Sequence, residues 1–155
     1  MKAEIVVNTL LAEAMKRNKT LSNIQVQKLL YFLHGHFMAK TEKPLLDEAF
    51  EAWQYGPVVR SIYDQLNQYG NAAIKNYLPL IDNESGKENI FVVSEDFTNF
   101  WEVFDEVWSK YGNLAPFDLV AKSHEFDGPW DQVKIRYGVI SNDVILDYFR
   151  KFNNE

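Results

Sequence analysis

Residues 22–40, "SNIQVQKLLYFLHGHFMAK", constrain the fold of this chain more than any other stretch. Ser22 stands three residues ahead of Gln25. At that spacing the hydroxyl and the glutamine side chain can each satisfy a free backbone N–H at a helix start. From there to about Ala39, the inner stripe Val26, Leu29, Leu30, Leu33 and Phe37 repeats at helical spacing, and nearly every position between is also bulky. A helix that is apolar on most sides has to be surrounded. The sequence therefore predicts a central helix with the remaining elements packed around it.

Those elements can be read in turn. Residues 4–17 carry Val6, Val7, Leu10, Leu11, Ala14 and Met15 at amphipathic spacing, and "NKTLS" ends that helix. The stretch "EAWQYGPVVRSIYDQL", residues 51–66, reads as an extended arm, a fixed corner and a helix over 57–69 capped by Gly70. The residue before a proline is pushed toward extended backbone, and proline suits a first helical turn. Around the polar turn "DNESGKEN", the segments "YLPLI" and "IFVV" are expected to pair as a small hairpin. A fourth helix is predicted over 94–111, with Phe97, Phe100, Trp101, Phe104, Val107 and Trp108 inward and Gly112 at its end. A fifth runs from Pro116 to about Ser123. "HEFDGPWDQ" forms a second aromatic corner, and residues 142–152 a last helix capped by Ser141 or Asn142. The expectation is a mainly α chain: one compact domain over 1–155, about six helices, and a small β-hairpin or short extended arm.

The charge balance, 16 basic against 22 acidic residues for a net −6, lacks the basic face of a nucleic-acid binder. The Lys16, Arg17, Lys19 knot is explained by a helix C-terminus, whose dipole favours cations. The absence of cysteine removes disulfides, thiolate metal sites and thiol catalysis, and suits a reducing compartment. Glu4 and Asn8 interrupt the apolar stretch that a signal peptide would need, and no apolar run reaches the roughly 18–20 residues of a membrane span. A soluble, cytoplasmic protein is expected.

Few residues suggest chemistry. His34 and His36 lie two apart on a helix and point to different sides, so they cannot easily share an ion. His124 has Glu125 and Asp127 nearby, but without H-E-x-x-H or comparable spacing no metal is expected. There is no G-x-S-x-G and no phosphate loop. His124 beside Asp127 reads first as a ring that pins the "GPW" turn, and second as a general base. The break between the first two helices invites comparison with a helix-turn-helix, with Gln25, Gln27 and Lys28 facing bases. The apolar second helix and the acidic net charge argue against that reading, which leaves a DNA-binding autorepressor as the alternative function.

Three blocks point to a family. "LSNIQVQKLLYFLHGHF", "PLLDEAFEAWQYGPVVRSIYDQLNQYG" and "KSHEFDGPWDQV" together resemble the Panacea domain, also described as SocA-like or phage-associated GepA-like. The recurrent positions map onto Lys28, Leu29, Tyr31, Trp53, Tyr55, Gly56, Pro57, Val58, His124, Pro129 and Trp130. The resemblance implies a helical antitoxin that neutralises a cognate protein toxin by direct binding, with delivery of the toxin to a protease as a second route. It carries over no catalytic residue and no cofactor, so no enzyme activity is expected. Near the two corners, Tyr31, Gln54, Tyr55, Arg60, Tyr63 and Tyr69 are the candidate partner-binding residues, because Tyr and Arg concentrate binding energy at interfaces. Lys28, Trp53, Gly56, Pro57, His124, Asp127, Pro129 and Trp130 are expected to hold the corners. The imidazole of His124 is expected to bond a turn carbonyl or cap a helix while Trp130 is buried.

Overall fold

The computed structural model describes residues 1–153, so the last two positions of the expected 1–155 domain lie outside the described residues. The elements in order are α1 (Ala3–Lys16), α2 (Asn23–Thr41), β1 (Phe50–Trp53), β2 (Gly56–Val58), α3 (Arg60–Leu66) continuing into a 3-10 turn at Asn67–Tyr69, β3 (Leu80–Ile81), β4 (Glu88–Asn89), α4 (Thr98–Tyr111), α5 (Pro116–Ser123), α6 (Pro129–Gln132), β5 (Val139–Ile140) and α7 (Asn142–Asn153). The architecture is mainly α with two small antiparallel sheets, ordered β2-β1-β5 and β3-β4. Among the described residues no helix is long and apolar enough to cross a membrane.

Helix α2 is the axis of the molecule. Its capping box forms as expected: the Gln25 N–H donates to Ser22 Oγ and the Ser22 N–H to Gln25 Oε1. Helices α1, α3, α4, α5 and α7 and strand β2 all pack against it, so every residue from Val26 to Met38 is buried. Its polar residues survive burial because they are hydrogen-bonded, as buried polar groups must be. His34 Nδ1 accepts the Leu46 N–H, so its Nε2 donates to Asn142 Oδ1 on α7; His36 bonds Asn153 and the Tyr111 hydroxyl on a different side. Burial keeps both imidazoles below their usual range, His36 at about 4.

Several boundaries differ from the sequence reading. Pro57 does not open a helix: it lies in β2, where Ala52 faces Pro57 and Trp53 faces Gly56, and α3 begins only at Arg60. β2 is an edge strand, so the missing proline N–H disrupts no central ladder. The expected pairing of "YLPLI" with "IFVV" shrinks to Leu80–Ile81 against Glu88–Asn89. The buried Asn8 of α1 is the reason, since its side chain bonds both backbone groups of Leu78 and the carbonyl of Phe91, while Thr9 Oγ1 takes the Val93 N–H. These side chains tie the flanks to α1 rather than to each other. Helix α4 starts at Thr98 rather than Ser94, because residues 94–97 form a turn whose Ser94 carbonyl accepts the Trp101 indole N–H at 2.8 Å. The single turn α6 and strand β5 were not expected from the sequence, and α6 raises the helix count to seven among the described residues.

Candidate functional site

The corner 50–60 is assembled from both sides. Across the hairpin, the two-residue turn Gln54-Tyr55 returns the chain at Gly56, whose φ of +109° is a region that side chains avoid. From below, α2 supplies two buried polar side chains: Lys28 Nζ donates to the Pro57 carbonyl at 3.0 Å, and Gln27 Oε1 accepts the Val59 N–H at 2.9 Å. From the other side, the Trp130 indole N–H of α6 donates to the Trp53 carbonyl at 2.7 Å. β5 completes the frame, with Phe50 facing Ile140.

Above this frame lies a cleft of about 240 Å³. Trp53, Tyr55, Tyr63 and Tyr137 supply its aromatic walls, while Asn23, Gln27, Lys28 and Arg136 supply polar groups. The Trp53 ring sits 4.7 Å from Tyr63 and 5.0 Å from Tyr137. Beside it, Arg60 grips Glu51 through Nε and Nη2 while its guanidinium lies 5.1 Å from the Trp53 ring. Glu51 also accepts the Trp53 indole N–H. Burial pushes its carboxyl up, but these hydrogen bonds and the charge of Arg60 win, and Glu51 ends below its usual range.

Four of the expected partner-binding residues therefore converge. Exposed Gln54 and Tyr55 and half-buried Tyr63 line the cleft, and exposed Arg60 flanks it against the Trp53 ring. Tyr31 is a correction: only 1% exposed, it packs edge-on to Phe32, Phe50 and Phe149 in the core. With neighbours all round α2, no side of that helix was left to present Tyr31 to a partner. Tyr69 lies apart, half-buried, its hydroxyl accepting from Asn76. Arg136 and Tyr137 were missed in the sequence, because they belong to no periodic element. Tyr137 stands at φ +63°, a conformation unusual for a bulky residue, and nothing in the local pattern announces it.

The second corner also differs from expectation. Among the described residues the His124 imidazole bonds no turn carbonyl; it stacks on the Trp130 indole, with 3.7 Å between centroids and 8° between planes. His124 does end α5, but through its backbone N–H, and its Nε2 is buried without a hydrogen-bond partner among the described residues. Burial holds the imidazole below its usual range and the Lys28 charge adds to that, with Asp131 opposing. Trp130 is half-buried rather than fully buried, so its removal should cost less than the 3–5 kcal/mol typical of a core aromatic. The Asp127 N–H donates to the Asp131 carboxylate, and the Asp127 carbonyl accepts from Gln132, which fixes the turn before Pro129.

The family profile described as "Antitoxin SocA-like, Panacea domain" matches residues 26–131, which run from α2 through the corner to α6. The chain belongs to this family. It is also 35% identical, over 155 aligned residues covering 96% of this chain and 82% of the relative, to a protein named Antitoxin SocA from Caulobacter vibrioides (strain NA1000 / CB15N). No solved structure matches the chain. The positions that the resemblance singled out fall into several places here: Leu29 and Tyr31 are core, Lys28, Trp53, Tyr55 and Val58 line the cleft, Gly56 and Pro57 lie in β2, and Trp130, with His124 stacked on it and Pro129 before it, bonds the back of the hairpin.

Lys28 makes this arrangement measurable. It is 1% exposed, and burial lowers its amine to about 7. Between that value and the ordinary 10.5 the unfolded chain binds the extra proton, so stability should rise with pH from 7 by about 1.4 kcal/mol per unit. Denaturant titrations at pH 7, 8 and 9 should show this rise in the wild type and a flat profile in Lys28→Met. Parallel profiles in the two proteins would show that Lys28 stays charged in the fold.

Proposed function

We propose that the chain is the antitoxin of a toxin–antitoxin pair and neutralises a separately encoded protein toxin in the cytoplasm by direct binding at the cleft above the 50–60 corner. The observation that carries this reading is that, in a chain of this family, Trp53 and Tyr55 of the quoted motif wall an aromatic cleft with exposed neighbours. Tyr55 is 49% exposed, with its ring edge-on to Phe117 at 6.0 Å. Arg60 and Tyr63 are braced on Trp53. Rigid aromatic and Arg groups of this kind are the usual anchors of protein interfaces.

Co-expression provides the test. A toxic neighbouring gene should be tolerated with this chain and lethal without it, and toxin levels separate the two routes: unchanged for simple blocking, reduced for delivery to a protease. Tyr55→Ala and Arg60→Ala should each weaken toxin binding by about 2 kcal/mol, roughly thirtyfold, with little change in melting temperature. If both variants neutralise like the wild type, the binding surface lies elsewhere.

A further inference from the structure

The cleft holds a charge that the fold does not balance. Lys28 forms part of its floor, yet its Nζ has one hydrogen bond, to the Pro57 carbonyl, although an ammonium carries three donors. Lys28 belongs to none of the ion pairs formed among the described residues, and no Asp or Glu lines the cleft. Arg136 lies at the cleft with its guanidinium 4.8 Å from the Tyr137 ring and likewise makes no ion pair among the described residues. In a chain of net charge −6, this is a concentration of unmatched positive charge. An isolated buried cation costs stability unless a counter-charge reaches it.

We propose that the cleft is a carboxylate site, in which Lys28 and Arg136 receive an acidic residue of the toxin and the aromatic walls hold its apolar stem. The proposal rests on the reading of the cleft as the toxin-binding surface. It names the chemistry of the anchor: acidic, presented by a polypeptide, and bound as the anion. The aromatic walls beside Lys28 lower the local dielectric, so a pair formed there is screened less than one on the open surface.

The groups facing Lys28 define how binding should respond to pH. From α5, His124 faces it as a largely neutral imidazole, with Asp131 of α6 behind that ring. Tyr55, Tyr63 and Tyr137 bring only phenol rings to the cleft wall. Glu51 on β1 is committed to Arg60. Lys28 is thus the group that changes charge near neutral pH, and a bound carboxylate would hold its proton in place. Below pH 7 the ammonium is already present and affinity should level off. Above pH 7 binding must take up a proton, and affinity should fall by up to tenfold per pH unit.

The test uses the full chain with 3-phenylpropionate as an aryl carboxylate and 3-phenylpropionamide as its neutral counterpart. At pH 6.5 the carboxylate should bind at least tenfold more tightly than the amide, and by pH 8.5 most of that preference should be gone. Lys28→Met, checked by circular dichroism to be folded, should lose most of the preference, and Lys28→Met with Arg136→Gln should bind both compounds alike. The carboxylate, not the amide, should also displace the product of the neighbouring toxic gene. Equal binding of the two compounds by the wild type, or a preference undiminished in Lys28→Met, overturns the carboxylate site. A Lys28-dependent preference without displacement of the toxin overturns the toxin as the occupant, while neutralisation in the co-expression assay then still stands. A chain that shows the preference but neutralises nothing overturns the functional reading, and with it the occupant.

Discussion

Phe149→Ala should remove about 3–5 kcal/mol of folding stability, the range for truncating a fully buried aromatic. Phe149 is 1% exposed and lies edge-on to Tyr31 at 5.5 Å, Tyr148 at 5.1 Å and the His36 ring at 4.8 Å. It is also the reason that α2 carries a glycine in its middle. A Cβ on Gly35 would sit 2.2 Å from the Phe149 ring, so the glycine gives α7 its seat. Gly35 weakens the helix by about 0.5–1 kcal/mol relative to Ala, and the packed ring offsets that. A domain with a typical total of 5–15 kcal/mol could be largely unfolded by the loss of Phe149. Urea unfolding of the purified variant measures it. A loss under 1 kcal/mol would mean that α7 is not docked as described.

Gly56→Ala should cost about 2–6 kcal/mol and abolish partner binding together with stability, since two independent penalties coincide. The first is backbone strain: φ of +109° is outside the range of ordinary side chains, worth about 1–3 kcal/mol. The second is space. A Cβ at Gly56 would lie 2.5 Å from Ser123 Oγ and 2.7 Å from Lys28 Cε, and forcing atoms into a packed site costs another 1–3 kcal/mol or so. Ser123 cannot swing away freely, as its hydroxyl donates to the Val120 carbonyl. Gly70 is the control. It also has a positive φ, but its Cβ would meet nothing within 4 Å, so Gly70→Ala bears only the backbone cost. If the two variants lose equal stability, the crowding at Gly56 is not real.

These two residues mark where the legibility of the sequence ends. The central helix, its capping box, α1, the span of α5 from Pro116 to Ser123 and the position of α7 could all be read from the chain, because helix signals are local: periodicity, caps and breakers act over one or two turns. The Val144 N–H even finds Ser141 Oγ, as expected of a cap. The sequence also put Gln54, Tyr55, Arg60 and Tyr63 at one corner of the chain, and the fold keeps them together there. What local signals cannot specify is which face a distant segment will cover. Tyr31 looked available until α7 and β1 were placed over it. Pro57 looked helical until β1 offered it a partner strand. β5, too short to be recognised alone, exists because Phe50 and Glu51 present an unpaired edge. Arg136 and Tyr137 reach the cleft only because that strand draws their loop across the hairpin. Residue type and spacing alone thus determined a central helix, its caps and two aromatic corners, since those follow from hydrogen bonds a few residues apart. The cleft, and the unbalanced lysine at its floor, come from contacts between residues far apart in sequence, and only the packed molecule decides those.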